Sequence, residues 1–411
     1  MEEEKQTATG AKRQGLSRTI KMLGWVSFFA DVSSEMVYPL NPVFITQVLG
    51  APAWALGLIE GIAESTASLL KLYSGWFSDK IGKRKPLAVI GYACGAIGKP
   101  IIALSSAWSG VLGARFIDRA GKGLRTAPRD ALITESCPPE QRGAAFGFHR
   151  SMDTTGAVLG PLICFAILSY FGKGDPVKLF RPIYWISFIP GLIAVFILAF
   201  FVREKLVPDT SAKKERAIAP SFASLSPLYK RYLFLMAVFS IGNSSDTFLI
   251  LRARNIGVPE AHVFLLYALF NIVEATLAYP AGRISDRIGR KPLVILGFII
   301  FAMVYLGFAM AHSTLDVWAL FVVYGFYYTL TGGVQRALAA DFAHPDRRAT
   351  EIGAFHMIVG FSALPASIWA GALYQWRPAA PFFFGAFCAI LAALGMLTEV
   401  LIGRSRHQSA I

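Results

Sequence analysis

Residues 75–92 read GWFSDKIGKRKPLAVIGY, a short charged segment between two long apolar runs. A second segment, GRISDRIGRKPLVILGF at 282–298, has nearly the same order of residues. Basic residues that flank long apolar runs are typical of loops at a membrane surface. Two such loops of one pattern indicate that the chain contains an internal repeat.

The composition predicts an all-α membrane protein. The chain has 411 residues, of which 55% are hydrophobic and 16% charged, whereas soluble domains carry roughly 25% charged residues. Its apolar runs are continuous over about 20 residues, which argues against a soluble enzyme, and they do not alternate, which excludes a β-barrel. Twelve runs, called spans 1 to 12, are predicted near 22–48, 54–78, 86–106, 108–132, 144–171, 182–202, 231–251, 261–281, 292–312, 316–340, 349–373 and 379–403.

The basic residues set the predicted orientation. The net charge of +14 could suggest a nucleic-acid partner, but the Lys and Arg side chains cluster at the ends of the apolar runs. With the N-terminus in the cytoplasm, 25 of the 40 fall in cytoplasmic segments and 6 in outside loops. This asymmetry predicts a multi-pass protein of the cytoplasmic (inner) membrane with both termini in the cytoplasm. The first 21 residues are polar, and we expect no cleavable signal peptide.

The repeat divides the chain into two halves. Asp79 and Asp286 are 207 residues apart, and SSE at 33–35 resembles SSD at 244–246. We therefore predict two six-helix bundles related as parallel repeats. The expected domains are a cytoplasmic tail at 1–21, a bundle at 22–202, a cytoplasmic linker at 203–230, a second bundle at 231–403 and a tail at 404–411.

At these residues the chain resembles the major facilitator superfamily along essentially its whole length. The loop between spans 2 and 3 of that family reads roughly G-x-x-x-D-(K/R)-x-G-(K/R)-(K/R). The alternative is that each loop is basic only because basic residues favour the cytoplasmic side of the membrane, but such loops would not share Gly and Asp at matching positions. The matching residues are Gly75, Asp79, Gly82, Lys83 and Arg84 in the first copy and Gly282, Asp286, Gly289 and Arg290 in the second.

This loop pattern predicts a conformational latch. Gly75 lets span 2 approach a neighbouring helix closely. Asp79 ends span 2 near the expected start of span 11, and Asp286 ends span 8 near the start of span 5. A carboxylate at a helix N-terminus contributes about 0.3–1 kcal/mol. The two carboxylates would hold the cytoplasmic side closed and stabilise the outward-facing state.

Span 5 resembles the family's antiporter signature, G-x8-G-x3-G-P-x2-G-G. Gly147, Gly156, Gly160 and Pro161 match it, whereas Cys164 and Phe165 replace the last two glycines. The match favours export by antiport. The alternative is that small residues here serve only helix packing.

Charged residues within the spans are candidates for the transport pathway, because they are costly in a bilayer. Asp31 and Glu35 share one face of span 1, and Arg115, Arg119 and Lys122 form a stripe on span 4. We expect both arginines to form one coupled network with the two carboxylates and Asp118, lining a cavity. A mutually neutralising ion-pair network is the structural alternative. The full candidate set is Asp31, Glu35, Arg115, Asp118, Arg119, Lys122, Asp246 and Arg336.

These features predict a secondary transporter that works by alternating access as a monomer in the bilayer, without enzymatic activity. No nucleotide-binding motif is present, so we expect no cofactor and expect an ion gradient to supply the energy. Protons that bind Asp31 or Glu35 are the expected coupling ions. Sodium coupling remains open. The candidate functions are a proton-coupled exporter of a small organic compound, an importer of an organic anion, and a non-transporting receptor. Four widely spaced cysteines predict free thiols and no metal site.

Overall fold

Helices account for every regular element of the described chain. The computed structural model describes residues 16–81, 83–138, 141–172, 176–204, 225–331, 334–342 and 348–408. Each predicted span contains a helix, which confirms the all-α fold with twelve spans. Spans 1 to 6 comprise Arg18–Glu35 with Leu40–Val43 and Phe44–Val48, Ala53–Ile81, Lys85–Leu104, Trp108–Glu135, Arg142–Phe171 and Phe180–Phe201. Spans 7 to 12 comprise Pro227–Gly242 with Thr247–Ile256, Glu260–Ile288, Arg290–Met310, Thr314–Thr331 with Val334–Phe342, Arg348–Trp376 and Ala380–Gln408.

Two spans are interrupted where the sequence analysis predicted continuous runs. In span 1 the first helix ends at Glu35, four residues before Pro39. Proline has no N–H to donate to the Glu35 carbonyl, and its ring would collide with that carbonyl in a continuous helix. In span 7 the first helix ends at Gly242, and Asn243 leaves the helical conformation with φ −90° and ψ 80°. Span 12 extends beyond its predicted end at 403.

Nine helices of the described chain are long and apolar enough to cross a membrane. They correspond to spans 3 and 5 to 12. The three remaining spans are interrupted, as in span 1, or carry several charged side chains, as in spans 2 and 4. Spans 2 and 4, both in the N-terminal half, therefore carry charged side chains within their helices.

The two halves have the same internal packing. In the N-terminal half, span 1 packs against spans 5 and 6, span 4 against spans 2 and 3, and span 3 against span 6. Adding six to each number gives the pairs of the C-terminal half. Between the halves, span 2 packs against span 11 and span 5 against span 8. These pairs define two six-helix pseudo-repeats.

The repeat is visible in individual contacts as well. A Cβ built on Gly91 would lie 2.6 Å from the Cβ of Arg125, where spans 3 and 4 cross. A Cβ on Gly297 would collide with Thr331, where spans 9 and 10 cross. Both residues of the second pair lie 206 positions after those of the first. A missing side chain thus brings the same two helices together in each half.

The halves meet at one end of the bundle. We call the end at which spans 2, 4 and 6 finish the linker face, and the opposite end the far face. Toward the far face, Tyr38 packs against Tyr267 with ring centroids 5.2 Å apart, and a Cβ built on Gly57 would collide with the Ser367 carbonyl oxygen. The larger apolar core contains residues of both halves, whereas the smaller core, from Ile20 to Val202, belongs to the N-terminal half alone. The protein is therefore closed at its far face.

Candidate functional site

A cavity of about 420 Å³ lies between the two halves. Spans 1, 2, 4, 5 and 8 contribute its walls. The charged lining residues are Asp31, Glu35, Glu64, Asp153 and Glu274 together with Lys71, Lys122, Arg125, Arg129 and Arg150. The walls thus carry five acidic and five basic side chains.

The arginines of span 4 are held by glutamates of span 2. Arg115 Nη2 lies 2.8 Å and 2.9 Å from the two carboxylate oxygens of Glu60, and its Nε lies 3.2 Å from Oε1. Both side chains are almost fully buried. One turn further along both helices, Arg119 Nη2 lies 3.4 Å from Glu64 Oε1. The two pairs fix the register of spans 2 and 4.

Asp118 joins these pairs to span 3. Its carboxylate oxygens lie 3.4 Å from Lys99 Nζ, 3.5 Å from Arg115 Nη1 and 3.8 Å from Arg119 Nε. Lys99 also donates to the carbonyl of Gly95 at 2.6 Å. Three cations around one carboxylate form a buried network behind the cavity wall, in which each charge has a partner. The direct partners of Arg115 and Arg119 in this network are Glu60, Glu64 and Asp118, rather than Asp31 or Glu35.

Asp31 and Glu35 line the cavity from span 1. The carboxyl of Asp31 lies within hydrogen-bonding reach of Asp153 on span 5, and Asp153 accepts a hydrogen bond from Ser27. Glu35 Oε2 is buried and has no hydrogen-bond partner among the described residues. Carboxyl groups of three side chains therefore share the wall formed by spans 1 and 5.

The signature glycines of span 5 produce this arrangement. A Cβ on Gly156 would lie 2.5 Å from the Phe28 carbonyl oxygen and 3.0 Å from the Cβ of Asp31. A Cβ on Gly160 would lie 2.8 Å from the Val32 carbonyl oxygen. Spans 1 and 5 can approach this closely only without side chains at the two positions. Pro161 is part of the same helix, whereas a Cβ on Gly147 would meet nothing within 4 Å.

Two cations face these carboxyls from span 4. Lys122 lines the cavity, and no carboxylate of the described chain lies within 4.0 Å of its ammonium group. The Arg125 guanidinium stacks 4.0 Å above the ring of Tyr92. Both cations therefore retain capacity to bind an anionic group in the cavity.

Asp246 and Arg336 are not among the residues that line the cavity. Asp246 immediately precedes the second helix of span 7 and accepts hydrogen bonds from Tyr324 at 2.7 Å and Tyr328 at 2.9 Å. These tyrosines belong to span 10 and pack on Phe270. Arg336 is exposed on the last helix of span 10. The C-terminal half thus has an aromatic cluster where the N-terminal half has charges.

The repeated loops make matching contacts within each half. Arg84 Nε lies 2.5 Å from Glu135, at the end of span 4. Arg290 contacts Asp341, at the end of span 10. The second pair again lies 206 positions after the first. Each arginine therefore ties the start of one helix to the end of the next helix in the same half.

The rest of the loop pattern is described only in part. Lys83 is exposed, and Gly289 precedes span 9 with φ +92°, a conformation that favours glycine. A Cβ on Gly75 would make an ordinary 3.4 Å contact with Ala127, so this conformation does not require a glycine there. Gly82, the surroundings of Gly282, and the side chains of Asp79 and Asp286 lie outside the described residues.

Several site residues were absent from the candidates chosen from the sequence. Glu60 and Glu64 are spaced four apart, as are Arg115 and Arg119, and even-numbered spans run in the same direction. Matching spacings on two parallel helices were a usable signal for these ion pairs. A different kind of contact joins the halves at the cavity, where Arg150 Nη2 lies 3.0 Å from Glu274 Oε1. No local spacing indicates that pair, because its residues are on spans 5 and 8.

Comparison with known proteins agrees with this architecture. A relative from Methanocaldococcus jannaschii, described as an uncharacterized MFS-type transporter, is 37% identical over 388 residues, covering 93% of this chain and 95% of the relative. The multidrug resistance protein MdtH of Proteus mirabilis is 23% identical over 390 residues, covering 92% of each chain.

Solved structures share the fold at low sequence identity. A POT family transporter in complex with 5-aminolevulinic acid has a TM-score of 0.77 at 13% identity, covering 96% of this chain and 98% of that chain. A bacterial homolog of the human lysosomal transporter Spinster, in an inward-facing and unoccupied conformation, has a TM-score of 0.71 at 15% identity and covers 92% and 94%. The family profile described as Major Facilitator Superfamily matches residues 23–364 and 233–410. The chain therefore belongs to the major facilitator superfamily of membrane transporters.

Proposed function

We propose that this transporter exports a small organic compound in exchange for protons. The bundles 22–202 and 231–403 would rock about the cavity, so that it opens alternately at the two faces. The excess of Lys and Arg in the segments of the linker face supports a cytoplasmic position for that face and both termini. Each chain carries its own cavity, so a monomer in the cytoplasmic membrane is the proposed functional unit.

The observation that carries this proposal is the carboxyl pair of Asp31 and Asp153 in a cavity closed at the far face. Two carboxyl groups within hydrogen-bonding reach can share a proton, which relieves their mutual repulsion. A bound substrate or a change of conformation that alters the surroundings of this pair would release or take up that proton. Proton movement is thereby linked to the opening and closing of the cavity.

Two further features favour export by antiport. The relatives described as multidrug resistance proteins match over most of this chain. The glycines that match the antiporter signature, Gly156 and Gly160, pack span 5 against the helix that carries Asp31 and Glu35. The signature residues are thus in contact with the proposed proton-carrying helix.

Import of an organic anion is the second candidate function. The observation that favours it is Lys122, a cavity-lining cation with no carboxylate of the described chain within 4.0 Å. An anionic substrate could bind between Lys122 and Arg125. The same transport assay distinguishes the two candidates, because they predict opposite directions of substrate movement for a given pH gradient.

The test is transport in proteoliposomes with an imposed pH gradient and a panel of labelled organic cations, zwitterions and anions. Proton-coupled export predicts that a compound accumulates on the acidic side. Asp31→Asn should abolish this accumulation but leave exchange without a gradient measurable. Asp316→Asn is the matched control, because Asp316 is exposed at the start of span 10, outside the cavity. Transport that ignores the pH gradient for every compound would overturn the proton coupling.

A further inference from the structure

Some charges of the cavity are already neutralised by neighbours. Glu64 is close to Arg119, Arg150 pairs with Glu274 and also lies 3.7 Å from Asp153, and Arg129 Nη2 lies 2.9 Å from Asp130. These contacts are internal to the walls. A ligand would therefore meet mainly the charges that remain.

The remaining charges are separated by sign. Asp31 and Glu35 are on span 1, and Glu35 Oε2 has no hydrogen-bond partner among the described residues. Lys122 and Arg125 are on span 4 and Lys71 is on span 2, and none of the three has a carboxylate of the described chain within 4.0 Å. Acidic and basic groups thus line the same cavity, and no ion pair joins the two sets among the described residues.

From this separation we propose that the substrate is a small organic zwitterion, with an amine bound at Asp31 and Glu35 and a carboxylate bound at Lys122 and Arg125. This assignment rests on the proposed transport function and names its substrate class. A ligand with a single charge would displace water from the side chains of both signs but pair with only one set, which is costly for the other set. A ligand with both charges would pair with both sets.

The volume of the cavity and its aromatic lining residue, Tyr267, agree with such a ligand. The cavity volume of about 420 Å³ lies within the roughly 300–1,000 Å³ of small-molecule pockets. Tyr267 also lines the cavity, and its ring rests on Tyr38. An apolar or aromatic side group of the ligand would pack against this ring.

The test is binding to the purified full-length protein, measured by thermal shift. The probes are free amino acids and di- and tripeptides, each with its methyl ester, which keeps only the amine charge, and its N-acetyl derivative, which keeps only the carboxylate. At least one zwitterion should bind about tenfold more tightly than both of its derivatives, since each derivative lacks the charged hydrogen bonds of one end. The inference is overturned if no zwitterion binds, or if a singly charged derivative binds equally well.

Variants assign each end of the ligand. Lys122→Gln should weaken the zwitterion about tenfold and leave its ester unchanged, whereas Glu35→Gln should leave the N-acetyl derivative unchanged. Lys21→Gln is the control, because Lys21 is exposed at the start of span 1. If Lys122→Gln does not fold, the wild-type comparison of the three probe forms still decides. Binding of a zwitterion without transport would contradict the proposed function alone, and proton-driven transport confined to singly charged compounds would contradict this inference alone.

Discussion

Arg115 of span 4 binds Glu60 of span 2 through both carboxylate oxygens, and the two side chains are 5% and 1% exposed. Removing one member of a buried pair leaves an uncompensated charge, which costs about 3–5 kcal/mol. We predict that Arg115→Met lowers the thermal stability of the purified protein severely, and that Glu60→Leu in the same chain restores part of it.

A double-mutant cycle on thermal stability measures this coupling. Arg125→Met serves as the control, because the Arg125 guanidinium stacks on Tyr92 and has no ion pair among the described residues. Combining it with Glu60→Leu should give additive losses. Additive losses for Arg115→Met and Glu60→Leu would show that the pair is not energetically coupled.

The sequence was sufficient for the fold because its signals are local or repeated. Long apolar runs mark the helices, and Asp79 and Asp286 mark the repeat. Each signal depends on a few neighbouring residues and on the general cost of exposing polar groups to lipid. Only the breaks in spans 1 and 7 and some helix ends differ from the prediction.

The site was less predictable because its charged side chains pair with residues on other helices. Asp31 and Arg119 both looked like cavity residues, yet Arg119 contacts Glu64, and Asp31 lies beside Asp153. Which helices become neighbours depends on packing at positions such as Gly156, where the absence of a side chain brings spans 1 and 5 together. Helical spacing within one span does not contain that information.

The crossing of spans 1 and 5 gives a second prediction. Gly160→Ala would place a Cβ 2.8 Å from the Met36 nitrogen and the Val32 carbonyl oxygen. Spans 1 and 5 must separate, which lowers the stability of the folded protein by about 1–3 kcal/mol. The rate of proton-coupled transport should fall as a result. Gly147→Ala is the matched control, because a Cβ there meets nothing within 4 Å. Thermal stability and transport rate should change only for Gly160→Ala.

The proposed latch gives a third prediction. Asp79→Asn should favour the conformation closed at the far face, because it weakens a helix-terminus interaction of about 1 kcal/mol that would hold the linker face closed. The measurement is labelling of Ala370→Cys, a position 4% exposed near the contact of spans 2 and 11, in a chain without its four native cysteines. Labelling should slow by roughly fivefold if the shift is 1 kcal/mol. Unchanged labelling with normal transport would contradict the latch.

The contact between spans 2 and 11 gives the opposite prediction. A Cβ on Gly57 would collide with the carbonyl oxygen of Ser367, toward the far face. Since backbone atoms cannot rotate away, Gly57→Ala must push the two helices apart and destabilise the closed far face. A penalty of about 1.4 kcal/mol changes the ratio of the two conformations tenfold. Labelling of Ala370→Cys should therefore accelerate.

Gly113→Ala is the control for this last change, because a Cβ at that exposed position of span 4 meets nothing within 4 Å. If Asp79 and Gly57 act on the same equilibrium from opposite faces, Gly57→Ala combined with Asp79→Asn should return labelling toward the wild-type rate. Their sites lie near opposite ends of span 2, so their free energies should add. Labelling in the double variant that matches either single variant would mean that the two faces do not open and close as one equilibrium.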